Sequence, residues 1–438
     1  MLLLKNARVI HFYPPEILAD MDVLIEGQTI KNVGKGLERR YSPERTIDVQ
    51  HHYLSPGIVC AHNHFYSALA RGIIADIPPS DDFVSILKNL WWRLDQALDE
   101  EALFTCGLVG ALEAVKVGTT AVIDHNASPS FIRGSLNTLR RSFEKIGLRG
   151  ILAYEVTDRH GKKGALAGVE ESVDFIRSLN QTGGSPLIEG AVGAHAPFTL
   201  SDQTLAMLAE AIREVGRGIH IHVAEDRYDP SHSHHHYGQD VLTRLENFNL
   251  LNEQAILVHG VHLSRRDIDI LNSHEAFLIH NPRSNMNNAV GYMGRLSLVK
   301  NWALGTDGIG SNMWEELKFA YFKQAEEKAG LSIPNFLEAL QNGNRLLQRY
   351  FRKPFGRVEK GYMADLVIYD YSAPTPLLPE NLAGHLVFGF ASRDVQTVII
   401  NGQIVMENRR FPFDTDSIYG RAQKVAERLW KKMNKIKP

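Results

Sequence analysis

Ser55-Pro56-Gly57-Ile58-Val59-Cys60-Ala61-His62-Asn63-His64-Phe65 is the stretch whose reading decides the fold. Pro56 and Gly57 mark a turn. The next four residues form an apolar run suited to a strand buried on both faces. His62 and His64 emerge at its end. Side chains alternate along a strand, so both imidazoles are expected to point the same way. Two neutral imidazoles on one side make half a metal site. Taken alone, the pair reads more simply as polar residues closing a strand. The remaining ligands must therefore come from elsewhere in the chain.

Seven further strand-like runs follow, at 120–124, 149–154, 188–195, 218–224, 255–260, 276–280 and 302–306. Helical patterns fill the gaps. Glu100 and Glu101 sit in a first turn, where acidic groups favour the helix dipole. Leu103, Cys106, Gly110, Ala114 and Val117 recur at helical spacing, and Gly118 ends the run. Ser201 is a good N-cap for a stripe of Leu205, Leu208, Ala209 and Ile212 that closes at Gly216. Ser264 does the same for Ile268 and Leu271. Eight β-then-α units predict an α/β fold, a (β/α)8 TIM barrel, over residues 56–350. The rival, a doubly wound open sheet, commonly carries a glycine-rich phosphate turn, and none is found.

The flanking segments read as strands. Residues 22–33 form a hairpin turning at Gly27-Gln28, and residues 47–49 another short strand. Residues 361–370 and 395–406 are strand-like, with a hairpin turn at Asn401-Gly402. Residues 1–55 and 351–438 are thus expected to build one small β-sandwich domain from both chain ends. An amphipathic helix follows from Asp416, ending in a solvated basic tail.

Composition bounds the function. The chain has 438 residues, 44% hydrophobic and 22% charged, which is globular. A formal net charge of −2 leaves no footprint for nucleic acid. Cys60 and Cys106 give no disulfide framework. The N-terminal apolar run is too short for a leader or a membrane span. A cytoplasmic protein with no nucleic-acid or membrane partner is expected. The 19 histidines direct attention to metals.

Barrel enzymes keep their chemistry at the carboxyl ends of the strands. Those ends read His62 and His64, then His195, His220-Ile-His222-Val-Ala-Glu225, His259, His280, and Gly305-Thr-Asp307. Core packing alone does not explain so many polar ends. His62, His64, His222 and Asp307 could bind one divalent ion, zinc first and iron(II) second. Such a site activates water when a position stays open. Glu225 and His259 are placed for proton transfer. His220 shares a strand face with His222 and competes as a ligand. His125 could touch substrate, and His280 reads as a structural strand end. The run Ser231 to Gly238, with four histidines, reads as a lid-like or structural loop. Trp91 and Trp92 could wall a flat heterocycle or pack in the core. Arg71 and Arg93 read as surface salt bridges.

These residues resemble the amidohydrolase superfamily, in its mononuclear deaminase and chlorohydrolase branch. The resemblance rests on Pro-Gly-x-x-x-x-His62-x-His64, His222-x-x-Glu225, the lone His259, Ser284-Asn285, Gly305-Thr-Asp307 and Gly361-x-x-Ala-Asp-Leu. It covers nearly the whole chain. It implies His62, His64, His222 and Asp307 as ligands of one metal ion. It implies Glu225 as proton shuttle, His259 and Asp307 as partners of the attacking water, and His195 as a substrate contact. Residues 89–95, 283–288 and 305–310 are similar, more narrowly, to the SsnA-type aminohydrolases. That group is linked to selenium metabolism and purine breakdown. Dinuclear members carry a bridging lysine on strand four, and residues 188–195 hold none. The implied activity is hydrolytic deamination of an amino-substituted N-heterocycle, purine- or pterin-like, by a homodimer that takes a small-molecule substrate and water. Hydrolysis of another C–N bond or a C–Cl bond is the alternative, and a non-catalytic scaffold is a third. A zinc deaminase built on Pro-Cys-x-x-Cys is excluded by the distance between the two cysteines. His274-Glu275 lacks the second histidine of a metalloprotease helix.

Overall fold

In the computed structural model, residues 1–181 and 184–437 are described. Eight parallel strands carry the fold. They are β1 (Ile58–Asn63), β2 (Thr119–Asn126), β3 (Arg149–Tyr154), β4 (Ile188–Gly190 and Val192–Ala194), β5 (Ile219–Val223), β6 (Ile256–His259), β7 (Phe277–His280) and β8 (Trp302–Leu304). The break in β4 at Ala191 divides them into two hydrogen-bonded arcs, β1 to β4 and β4 to β8. Bridges join the arcs at both seams, Val156 with Ala194 and Asn63 with Asp307. At the second seam the amides of Thr306 and Asp307 donate to the His62 carbonyl at 3.0 and 3.1 Å. This is the α/β barrel arrangement that the eight sequence units predict.

The alternation of side chains fixes what lies inside. Ala121 and Ile123, Ile151 and Ala153, Ile256 and Val258, and Phe277 and Ile279 form one buried cluster with Val59 and Ala61. Their neighbours Val122, Leu152, Leu257 and Leu278 join the larger core shared with the helices. By strict alternation His62, next to inward Ala61, would turn outward. Pairing of β1 with β2 instead shifts register between Cys60 and Asn63. Such an irregularity re-aims the following side chains. It lets His62 and His64 both reach the interior, a device that simple alternation does not foresee.

Helices cover the ring where the caps predict them. Asp99, Ser201 and Ser264 accept from the backbone N–H groups of Ala102, Thr204 and Asp267 and open the helices Glu100–Lys116, Asp202–Val215 and Arg265–Ser273. Helix Ile333–Phe351 plugs the amino-terminal end of the ring. Its Leu346, Leu347 and Tyr350 join the inner cluster, and Asn344 donates to the Gly57 carbonyl at 2.9 Å.

Both chain ends share one eight-stranded sheet. The hairpin Glu16–Glu26 with Thr29–Gly34 pairs through Leu2–His11 to Tyr53–Pro56, and this strand pairs with Leu366–Tyr369, Val395–Ile400 and Gln403–Met406. The small sandwich expected from sequence is therefore a single continuous hydrogen-bonded sheet. The buried carboxylate of Asp365 grips Arg149 at 2.5 and 2.9 Å, tying this sheet to the start of β3. The C-terminal helix, Thr415–Met433, packs on Glu100–Lys116. Arg93 is not a surface ion pair; it is buried and donates to the carbonyls of Asp76, Met433 and Ile436.

Candidate metal centre

The carboxyl ends of β1, β5, β6 and β8 converge on one buried cluster. His64 Nε2 lies 3.2 Å from His222 Nε2 and 3.1 Å from Asp307 Oδ1. His62 Nε2 lies 3.5 Å from the same oxygen. His259 Nε2 is 3.8 Å from Asp307 Oδ2 and 3.5 Å from Glu225 Oε2. All seven residues singled out in the sequence thus lie in one place. His195 is the outermost, with its ring centroid 5.8 Å from that of His222.

Each imidazole is fixed from behind. His62 Nδ1 meets His220 Nε2 at 2.9 Å, His64 Nδ1 donates to the His125 carbonyl at 2.7 Å, and His222 Nδ1 donates to the His195 carbonyl at 2.8 Å. A carbonyl accepts only from a protonated nitrogen, so Nδ1 carries a proton in both rings and the two Nε2 atoms face each other. Two lone pairs 3.2 Å apart repel unless a proton or a cation lies between them. His62 Nε2 and His259 Nε2 are buried and have no hydrogen-bond partner among the described residues. Ser284 Oγ donates to Asp307 Oδ2 at 2.5 Å, and Asn285 Oδ1 holds His259 Nδ1 at 2.8 Å. Such outer partners orient metal ligands.

Two overlapping sets of donors have cation spacing, within 4.8 Å of one another: His62, His64, His125 and His222, and His62, His222, His259 and Asp307. The four residues expected as ligands lie in their union. Nitrogen and oxygen donors of this kind suit a divalent ion of borderline softness. The electrostatics agree. Burial opposes charge on Asp307, yet the His62 and His64 rings hold its carboxyl well below the usual range. Burial also opposes charge on His64, but Asp307 raises its ring to about 9. Burial pushes Glu225 up to about 7. The backbone is strained at the same place: Ala224, His259 and Asp307 have φ of 47°, 68° and 54°. Left-handed non-glycine residues of this kind gather at functional sites. Gly305 is needed for packing, because a Cβ there would meet Asn281 Oδ1 at 2.4 Å and His62 Cβ at 2.9 Å.

Other histidines fall outside the centre. His220 backs His62 and stacks on His125 at 4.3 Å, so it is placed behind the ligand shell. His280 is buried against Tyr292 and Trp302. The histidine-rich run is not a loop: Tyr228–Tyr237 is a helix, with Gly238 as its left-handed cap. Its turn-rich composition hid that.

A cavity opens over the cluster. Trp91 and Trp92 line it with Phe83 and Tyr66, and so does His195, whose Nδ1 meets Thr199 Oγ1 at 2.8 Å. Arg71 lies in a neighbouring recess, paired with Glu113 at 2.6 Å. Two lining carboxylates were not foreseen. Glu155 directly follows β3, a strand end that the search for histidine and aspartate passed over. Asp95 comes from helix Trp92–Ala97 and closes the stretch 89–95 that carries the narrower resemblance, which gave it no role. No helix among the described residues is long and apolar enough to cross a membrane.

A barrel with imidazoles and a carboxylate gathered at its strand ends defines a class of metal-centred hydrolases. The chain belongs to the amidohydrolase family, whose profile matches residues 53–405. It is 30% identical over 416 residues to a 5-methylthioadenosine/S-adenosylhomocysteine deaminase of Thermococcus sibiricus, spanning 92% of this chain and 94% of the relative. It is 30% identical over 418 residues to a 5'-deoxyadenosine deaminase of Methanococcus maripaludis, spanning 92% and 95%. Among solved structures, an adenosine deaminase from Xanthomonas campestris with bound zinc superposes with a TM-score of 0.85, at 25% identity and 98% coverage of both chains.

Proposed function

We propose that this chain is a metal-dependent aminohydrolase, a hydrolase of carbon–nitrogen bonds other than peptide bonds. Its substrate is an amino-substituted N-heterocycle, purine- or pterin-like, and its product ammonia. The reading is supported by the deaminases among its relatives. The observation that carries it is the placing of Glu225 beside His259 and Asp307 at the mouth of the donor cluster.

In this reading His62, His64, His222 and Asp307 would hold the ion, with zinc as its identity. When bound, the ion supplies a water acidified enough to attack at neutral pH. Glu225 takes a proton from that water and delivers it to the ring nitrogen beside the carbon attacked. A pKa near 7 suits a group that must both accept and donate. His259 and Asp307 orient the water as the new carbon–oxygen bond forms. The proton remaining on the added hydroxyl passes to the amino nitrogen, the carbon–nitrogen bond breaks, and ammonia leaves a ring carbonyl behind. Trp91 and Trp92 offer flat walls to the ring, and His195 a polar edge. The resemblance also supports a homodimer and a place in purine breakdown.

Glu225→Gln tests the reading. Ammonia release from the metal-loaded protein is expected to fall by about 10²–10⁴-fold. Bound metal, measured by elemental analysis, is expected to stay at the wild-type level. Activity kept within tenfold would remove Glu225 as the shuttle.

A further inference from the structure

The cavity over the cluster is acidic. Asp95, Glu155, Glu225 and Asp307 line it, and no lysine or arginine does so among the described residues. Glu225 and Asp307 belong to the reacting end. Asp95 and Glu155 do not, and the reaction leaves them without a task.

The Glu155 carboxylate is open to a ligand. It is 4% exposed, lines the cavity, and accepts no side-chain hydrogen bond among the described residues. Its nearest cationic or ring atoms are His125 Nδ1 at 3.7 Å, His195 Nε2 at 3.8 Å and Arg159 Nη2 at 3.8 Å, all beyond hydrogen-bond length. Asp95 is 1% exposed, and its Oδ1 is buried with no partner. Arg159 is partly engaged, with its Nη1 left without a hydrogen-bond partner among the described residues. It meets Asp95 Oδ2 at 3.2 Å and packs on the Trp92 ring at 4.4 Å. Buried acceptors without donors are costly, and a bound N–H relieves that cost. A phosphate or carboxylate at this position would face two carboxylates.

Glu155 also stands at a fixed place relative to the chemistry. Its Oε2 is 4.0 Å from His64 Nδ1, immediately behind the metal cluster, and its Oε1 is beside His195. It lines the cavity on the side of His64 and His195, next to the donor cluster. An ionised carboxylate only accepts, and an exocyclic amino group on the ring offers it N–H donors.

We propose that Glu155 is a specificity-determining residue that selects heterocycles carrying a second amino group beside a ring nitrogen, in addition to the amine that is hydrolysed. The substrate class is a donor-rich diamino ring without an acidic substituent. Asp95, fixed by Arg159, supplies a further acceptor at the same end. The inference rests on the deaminase reading for its orientation of the ring.

Equilibrium binding separates the two ideas. The metal-loaded Glu225→Gln protein would be titrated with 2,6-diaminopurine and adenine, and with 2,4-diaminopyrimidine and 4-aminopyrimidine. In at least one pair the diamino ring is expected to bind about 10–100-fold more tightly, as for a hydrogen bond to a charged group. Adding Glu155→Gln is expected to reduce that ratio at least tenfold, with metal content and melting temperature unchanged. A ratio within threefold in both pairs would overturn the proposal. So would a preference that survives Glu155→Gln, or no binding by any of the four. Ammonia release by the wild-type enzyme is read separately. If the binding preference holds but no ammonia appears, the deaminase reading fails and the Glu155 assignment stands.

Discussion

Among the described residues, two places group histidine with carboxylates at cation spacing. One is the barrel cluster, and the other is His11, Glu16 and Glu359 on the terminal sheet. The second is already satisfied. His11 Nδ1 meets Glu16 Oε2 at 2.8 Å, and its Nε2 accepts from the Val358 amide at 3.1 Å. The Arg357 guanidinium fills the centre, bonding Glu16 at 2.9 Å and Glu359 at 2.5 Å. In the barrel the outer ring nitrogens have partners, His62 Nε2 and His259 Nε2 do not, and among the described residues no arginine lines the cavity. Ligand spacing therefore does not make a metal site. What decides is whether the protein supplies a positive charge of its own.

The largest test of that contrast removes one ligand from each group. Asp307→Ala is expected to empty the barrel centre, taking bound metal from one equivalent to near zero and ammonia release with it. His11→Ala is expected to leave metal content unchanged and to cost only stability. Elemental analysis of both variants checks this, and loss of an equivalent from His11→Ala would break the comparison. A smaller effect sharpens it. Arg357→Met takes away the built-in cation, so the terminal group is expected to gain a weak second zinc equivalent, read by titration calorimetry. No uptake there would mean that the missing charge alone does not open a site.

The smallest effect concerns a buried histidine belonging to neither group. Burial pushes the His280 ring down from 6.5 to about 3. The unfolded chain then binds the proton first. Stability present above pH 6.5 is lost as pH falls towards 3, at about 1.4 kcal/mol per pH unit for one proton. His280→Leu is expected to reduce the loss of unfolding free energy between pH 6 and pH 4 by roughly 2 kcal/mol. Urea unfolding at both pH values measures it. An unchanged difference would show that His280 takes its proton in the folded state.

Much of this was legible in the sequence because barrels write their chemistry at fixed places. Eight apolar runs and the N-caps Ser201 and Ser264 mark the ring and its helices, and seven of the polar residues at strand ends are ones the fold gathers. The rest was hidden for physical reasons. The register shift that turns His62 inward depends on pairing with β2, which no local pattern reveals. Glu155 looked like any charged residue after a strand until β3 placed it in the cavity. The helix Tyr228–Tyr237 forms from aspartate, proline, serine and histidine, residues whose weak propensities are overridden by packing. The continuous terminal sheet needs partners more than 300 residues apart, as with Tyr53 and Tyr369.

The seam between Asn63 and Asp307 has a consequence for how the molecule matures. The His62 carbonyl receives its two backbone donors only from Thr306 and Asp307. A ribosome must therefore make most of the chain before the first strand can be sealed. Until then His62 and His64 belong to an open edge, and the pair can neither be shielded from solvent nor joined by its carboxylate. Ring sealing and cofactor capture become the same late event in biogenesis.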